Sequence, residues 1–414
     1  MIVRAVAAAA CCGLLLSGPA VAAAPGPAAP THAPAPASAT GRGTLVSAEK
    51  PYTLSTPQAV AADLTTAGFA ADSARYGVVA YRLVYRTVDA HGRPTTASGL
   101  VGVPLHSGAR LRTVSFAHGT GSHKADAPSA QRAAFVSAPV IAHASAGAFA
   151  VGPDYLGLGK GPGPHPWMDI GSETTASLDM LRAARAFAPR TGHVLEREVM
   201  VTGFSQGASA ALGLGRALEA GQDSWFRLGA LAPVSGAYDF GGAELRALVA
   251  GDLDAKSGVV YAAYTLVAFN RLHDIYDNPG EVFQDEYADT IEALFDGEHT
   301  GQDLVQGTPE KLDDLLTAHG RELLTHPAGA LAEALRTTDA VCTDWAPRAP
   351  VRLYTASGDE QATTEYCRAA LAKKGVSAPV TDLGAVDYHG SRHLGSNVAA
   401  TPRIVRWFGE LSRR

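Results

Sequence analysis

Charge is scarce in this chain: Asp, Glu, Lys and Arg make up 18% of its 414 residues, and the formal net charge is only -6. With 34 basic against 40 acidic residues, the chain as a whole shows no electrostatic footprint for nucleic acid or for an anionic lipid surface. No nucleic-acid partner is expected. The apolar stretches Ala5 to Leu16 and Val259 to Phe269 fall well short of the roughly 20 residues that span a bilayer, so stable membrane insertion is not expected either. Phosphate-cradling Gly-x-Gly-x-x-Gly patterns and Walker patterns ending in Lys-Ser/Thr are absent. The one echo of a calcium loop, Asp252-Leu253-Asp254-Ala255-Lys256, puts a lysine at a ligand position, where it repels the ion. Neither a metal nor a cofactor is expected. What the chain does have is 46% apolar residues, enough for a large buried core.

Cysteine is equally sparse, at four residues. Cys11 and Cys12 sit inside a leader-like start: Met1-Ile2-Val3-Arg4, the apolar run Ala5 to Leu16, then the small-residue tail Val21-Ala22-Ala23. This pattern reads as a secretory signal peptide over residues 1–23, cut after Ala23, and predicts a secreted product. Cleavage leaves Cys342 and Cys367 as the only pair, in a compartment that permits oxidation, so one disulfide is expected. Residues 24–43, with Pro25, Pro27, Pro30, Pro34 and Pro36 among small residues, read as an extended tether that cannot pack.

From residue 44 onward, β-rich runs alternate with helical periodicity. The runs are Tyr81 to Val88, Thr95 to Val103, Arg112 to Ala117, Ala148 to Gly152, Val199 to Gly203, Leu228 to Ser235, Val351 to Ala356 and Val380 to Leu383. The first two, joined at His91-Gly92-Arg93-Pro94, look like an antiparallel hairpin at one edge. Helices are expected at Glu173 to Phe187, Gln206 to Ala220 and Asn397 to Leu411. The implied class is α/β, with a mostly parallel central sheet covered by helices on both faces. Residues 241–345 break the rhythm with helix-like segments, Asp285 to Phe295 among them, and no convincing strand, so they read as a helical cap inserted into a core of residues 44–240 and 346–414. That block holds 20 of the 40 acidic residues and carries a net charge of -14, against +8 for the rest. Solvated helix faces account for such a bias; an acidic cap would also disfavour anionic substrates on approach.

The sharpest local signal is Val199-Met200-Val201-Thr202-Gly203-Phe204-Ser205-Gln206-Gly207-Ala208, a β-branched strand running through Gly-x-Ser-x-Gly into an Ala/Gly-rich helix. A serine on a tight strand-to-helix turn needs small residues two before and two after it, and Gly203 and Gly207 supply them. The helix that follows aims its N-terminal N–H groups at the serine, making the backbone N–H of Gln206 an oxyanion donor. Serine is a poor nucleophile at neutral pH, so a histidine must take its proton and an acid must orient that histidine. Asp359 fits as the acid, after the run Val351 to Ala356, with adjacent Glu360 as the fallback. His389 fits as the base, just beyond the run Val380 to Leu383, and His393 ranks second. The second oxyanion donor falls to Thr120, in Phe116-Ala117-His118-Gly119-Thr120-Gly121, or to the rival loop Gly152-Pro153-Asp154-Tyr155-Leu156-Gly157.

Over roughly residues 75 to 410 the chain resembles the α/β-hydrolase superfamily and, within it, the secretory lipase family of lipase A-like enzymes. The likeness is carried by His118-Gly119-Thr120, Pro153-Asp154-Tyr155-Leu156-Gly157, His165-Pro166-Trp167, the segment Leu178 to Arg185, Gly203-Phe204-Ser205-Gln206-Gly207, Gly358-Asp359-Glu360 and His389-Gly390-Ser391. It implies hydrolysis of carboxylic esters through Ser205, Asp359 and His389, with an oxyanion hole involving the position of Asp154; the expected partner is a small-molecule or lipid ester, and the expected state a monomer. A peptidase or acyltransferase on the same residues, or a non-catalytic binding protein of the same fold, are the other readings of this pattern.

Overall fold

The computed structural model describes residues 41–251 and 255–411. The expected leader, the tether up to residue 40 and the Asp252-Leu253-Asp254 part of the calcium-loop echo lie outside the described residues. The framework is a nine-stranded sheet of β1 (Leu45–Leu54), β2 (Val78–Val88), β3 (Pro94–Pro104), β4 (Arg110–Ala117), β5 (Phe149–Pro153), β6 (Val194–Phe204), β7 (Arg227–Val234), β8 (Leu353–Thr355) and β9 (Val380–Asp382). Their order across the sheet is β1-β2-β3-β5-β4-β6-β7-β8-β9. The pairs from β1 through β3 to β5 are antiparallel, and every pair from β5 to β9 is parallel.

Alternation along the central strands divides the core in two, because successive side chains of a strand point to opposite faces. Phe149 and Val151 of β5, Val199 and Val201 of β6 and Leu231 of β7 face one apolar cluster, which α3 (Ile170–Phe187), α4 (Gln206–Glu219) and α12 (Thr364–Lys373) cover with residues such as Leu178, Leu212 and Leu371. Ala150, Met200 and Ala232 face the other, covered by α1 (Pro57–Thr66), α2 (Ala138–Ser145) and α13 (Arg392–Leu411) through Leu64, Ile141 and Phe408. The expected mostly parallel sheet with helices on both faces is what the chain builds.

Between β7 and β8 the chain leaves the sheet and forms α5 (Leu245–Ala250), α6 (Ala255–His273), α7 (Asp285–Ala288), α8 (Gly301–Gln306), α9 (Leu312–Leu315), α10 (Ala318–Thr325) and α11 (Gly329–Asp339). These helices share an apolar cluster of their own, which Trp167 and Met168 join from the loop before α3. No helix among the described residues is long and apolar enough to cross a membrane, and no group of three or more His, Cys, Asp or Glu there could hold a metal ion.

Three elements differ from the sequence expectation. The expected edge hairpin, β2 and β3, is flanked by β1, which pairs antiparallel with β2; β1 is mostly exposed, so it carries no apolar alternation to betray it. The helix expected from Asp285 to Phe295 is the short α7 followed by a 3-10 turn at Ile291–Phe295. The last helix begins at Arg392 rather than Asn397, a shift that decides the site described below.

Cys342 and Cys367 are bonded, with Cα atoms 5.2 Å apart. The bridge ties the end of the insertion to α12, and the loop it closes contains β8 and Asp359. In the chain-entropy view, a cross-link closing a loop of this size contributes about 3 kcal/mol. Denaturant unfolding of the oxidised protein is therefore expected to show about 3 kcal/mol more stability than the Cys342→Ser/Cys367→Ser variant. Identical unfolding curves would remove that role from the bridge.

Candidate active site

β6 ends at Phe204 and α4 begins at Gln206, so a single residue, Ser205, turns the chain from strand to helix. It does so at φ 57° and ψ -124°, a backbone conformation that side-chain-bearing residues rarely adopt and that persists only where the surroundings hold it. The holding contacts are visible in the glycines. A Cβ on Gly203 would stand 2.0 Å from the Gly207 carbonyl oxygen, and one on Gly207 would stand 2.1 Å from the Ala117 oxygen and 2.4 Å from that of His118. The Ser205 N–H donates to the Val234 carbonyl at 3.0 Å, anchoring the turn to the neighbouring strand.

Asp359 follows β8 through a turn at Gly358, whose φ is 71°. Its Oδ1 accepts the backbone N–H groups of Gln361 and Ala362 at 3.0 and 3.1 Å, and the Nδ1–H of His393 at 2.9 Å. Burial pushes this carboxyl up, but the hydrogen bond and charge of His393, with the backbone hydrogen bond from Gln361, outweigh burial and hold it below the usual carboxylate value. Because Nδ1 gives its proton to Asp359, Nε2 of His393 presents a lone pair, and it meets Ser205 Oγ at 2.9 Å. The imidazole is buried and tilts against the Phe204 ring at a centroid distance of 4.8 Å.

His389 does not take that place, which corrects the sequence assignment. It sits exposed on the turn between Tyr388 and Ser391, at φ 53°, with its ring edge-on to Tyr388, and hydrogen-bonds neither Ser205 nor Asp359. The cause is the early start of α13. Ser391 Oγ accepts the Leu394 N–H at 3.1 Å, capping the helix one turn before the expected start and turning His393 inward on its first turn. The signal was present, since a serine three residues before the N–H that donates to it, at the head of an apolar stretch, is a helix-start mark. Glu360, the fallback acid, touches no imidazole nitrogen; it accepts the Ser391 hydroxyl and, at 3.1 and 3.2 Å, the backbone N–H of His393. It positions the backbone that carries the ring.

The oxyanion candidates separate in the same way. Gln206 is the first residue of α4, where a backbone N–H has no partner within the helix, and Thr120 lines the same cavity as Ser205. Asp154 is excluded. Its N–H already donates to the Ser98 carbonyl at 2.9 Å, and its fully buried carboxyl accepts from the Ser98 and Ser129 hydroxyls and from the Ser129 N–H at 2.9 Å. Burial pushes that carboxyl up, partly opposed by those bonds. Asp154 thus clamps β3 to the segment before α2 from inside the core.

No family model matches the chain, and no curated protein does. Solved structures do. The rice cell wall degrading esterase LipA from Xanthomonas oryzae superposes with a TM-score of 0.76 at 27% identity, over 90% of this chain and 99% of that one. This chain has the α/β-hydrolase fold. A putative hydrolase from Legionella pneumophila (TM-score 0.79, 23% identity, 89% of this chain and 98% of that one) and Candida antarctica lipase A (TM-score 0.60, 14% identity, 84% and 77%) share its fold.

In this fold Ser205 stands where two cavities meet. One, of about 240 Å³, lies under the insertion and is walled by Trp167, Phe240, Leu248 and Tyr261. The other, of about 730 Å³, is lined by Phe135, Phe204 and Leu394 and holds His393 and His389 in its wall. The insertion is tied to the Thr120 loop: Tyr264 OH donates to the Gly121 carbonyl at 3.1 Å, and the Trp167 indole, stacked on Tyr264, donates to Thr120 Oγ1 at 3.0 Å.

Proposed function

We infer that this α/β-hydrolase-fold protein cleaves carboxylic esters through an acyl-enzyme on Ser205, with His393 as general base and Asp359 as the acid that orients it. The observation that carries the reading is the unbroken chain of two 2.9 Å hydrogen bonds from Asp359 through His393 to Ser205, ending on a serine held in a strained turn. His393 Nε2 takes the Ser205 proton as Oγ attacks the ester carbonyl, and the Asp359 carboxylate stabilises the imidazolium that forms. The N–H groups of Gln206 and Thr120 receive the oxyanion; donors of this kind each contribute about 10²- to 10³-fold in rate. His393 then protonates the departing alcohol, and the reverse sequence with water releases the acid. The two cavities at Ser205 offer separate room for the acyl and alcohol parts of a substrate. The leader-like start of the sequence supports secretion, and the acidic insertion supports a preference for neutral over anionic esters.

Ser205→Ala is expected to abolish turnover of p-nitrophenyl butyrate and labelling by a fluorophosphonate, with an unchanged circular-dichroism spectrum. Turnover surviving in that variant would refute the reading.

A further inference from the structure

Behind the oxyanion donors lies a buried polar assembly, in which Glu173, His165, Tyr155 and His118 line neither cavity. Gln206, whose N–H faces Ser205, turns its side chain into the protein, where only 1% of its surface is exposed. Its carboxamide nitrogen donates to Glu173 Oε1 of α3 at 2.6 Å and to His165 Nε2 at 3.0 Å. His165 gives its Nδ1–H to the Leu156 carbonyl at 2.9 Å, so its Nε2 can only accept, and the amide is oriented with both hydrogens engaged. The His165 ring lies parallel to that of Tyr155 at 5.8 Å, and Tyr155 stacks on His118 at 4.4 Å. Tyr155 OH donates to the His118 carbonyl at 3.1 Å, and His118 Nδ1–H donates to the Gly119 carbonyl at 2.7 Å, one residue before Thr120. Tyr155 itself is held at φ 66°, strain that again marks a position fixed by its surroundings.

We propose that Glu173, His165 and Tyr155 are positioning residues that brace both oxyanion donors, Gln206 and Thr120, from inside the protein. One continuous assembly thereby sets the distance between two N–H groups, one at the head of α4 and one on the Thr120 loop, and small displacements of such groups cost rate rather than binding. The assembly works in its neutral form. Burial pushes His165 down to about 3, consistent with an accepting nitrogen, and pushes Glu173 up to about 8, opposed in part by the bond from Gln206. The other titratable groups facing Glu173 are Asp169 at the head of its own helix, Tyr155 on the loop and Tyr264 of the insertion, both tyrosines raised by burial. Glu173 is therefore uncharged at pH 7, and its ionisation above about pH 8 places a negative charge behind the site where the negative oxygen forms.

The proposal rests on the acyl-enzyme reading, which ester turnover and fluorophosphonate labelling of the unmodified enzyme test separately. With p-nitrophenyl butyrate, Tyr155→Phe and Glu173→Ala are expected to lower kcat by about tenfold with KM within about twofold of the parent. Glu173→Gln, which keeps an acceptor for the Gln206 amide, is expected to retain kcat at pH 7 and to lose the fall in kcat that the parent shows above about pH 8. Should Glu173→Ala fail to fold, Tyr155→Phe, which removes one oxygen, and the pH profile of Glu173→Gln decide. A parental kcat in folded Tyr155→Phe, or an alkaline limb unchanged in Glu173→Gln, overturns the proposal.

Discussion

Replacing His393 with alanine is expected to lower kcat on a short p-nitrophenyl ester by about 10⁴-fold or more, while His389→Ala stays within a few-fold of the parent. The contrast follows from position alone. His393 holds both hydrogen bonds a general base needs, at 2.9 Å to Ser205 and 2.9 Å to Asp359, whereas His389 is exposed and bonded to neither. Without an imidazole at 393, Ser205 attacks as an unassisted hydroxyl and the leaving alcohol departs unprotonated; only the oxyanion donors and substrate binding remain. Fluorophosphonate labelling should fall with kcat in His393→Ala, because the same base activates the serine towards phosphorus. A loss in His389→Ala equal to that in His393→Ala would place the base on the exposed turn and reject the present assignment.

The second large effect is expected at Gly207. Gly207→Val must fit a Cβ within 2.1 Å of the Ala117 oxygen and 2.4 Å of the His118 oxygen, both backbone atoms of the segment that leads into the Thr120 loop. Such atoms cannot swing aside as a flexible side chain would, so β4 and α4 must separate. The cost is expected at about 4 kcal/mol or more, the range reached by single substitutions only through overpacking or comparable mechanisms. Any folded fraction should turn over esters far more slowly, since separation of β4 and α4 pulls Thr120 away from Gln206. Gly409→Ala in α13 is the control: nothing lies within 4 Å of its added Cβ, and an exposed helical glycine replaced by alanine gains about 0.5–1 kcal/mol. Thermal or denaturant unfolding of both variants checks the pair, and a Gly207→Val protein as stable as the Gly409→Ala one would contradict the steric account.

The elbow was legible because everything it needs is local. A strand, a serine and two glycines within five positions specify the turn, and the structure gives steric reasons for both glycines. The same holds for Asp359, one short turn beyond a strand, for the helical insertion and for the Cys342–Cys367 pair. The strand β1 was not legible, since its mostly exposed side chains carry no apolar pattern and only its backbone pairing with β2 makes it a strand.

Local pattern along the chain was enough to put a serine on a strand-to-helix turn of a parallel sheet, an acid after a later strand, and a helical block between two parts of the core. Only the folded arrangement decided which histidine hydrogen-bonds both Ser205 and Asp359, and which candidate donor has its N–H already engaged. His389 and His393 are one helical turn apart, so the choice depends on where α13 starts, and that start is fixed by Ser391 together with Glu360, which arrives from the end of another strand. Asp154 likewise sits in a loop of the right kind, yet its N–H and carboxyl are claimed by Ser98 and Ser129 from distant segments. Spacing along the chain fixes a residue's local conformation; which way its polar atoms face is set by the partners that folding brings to them.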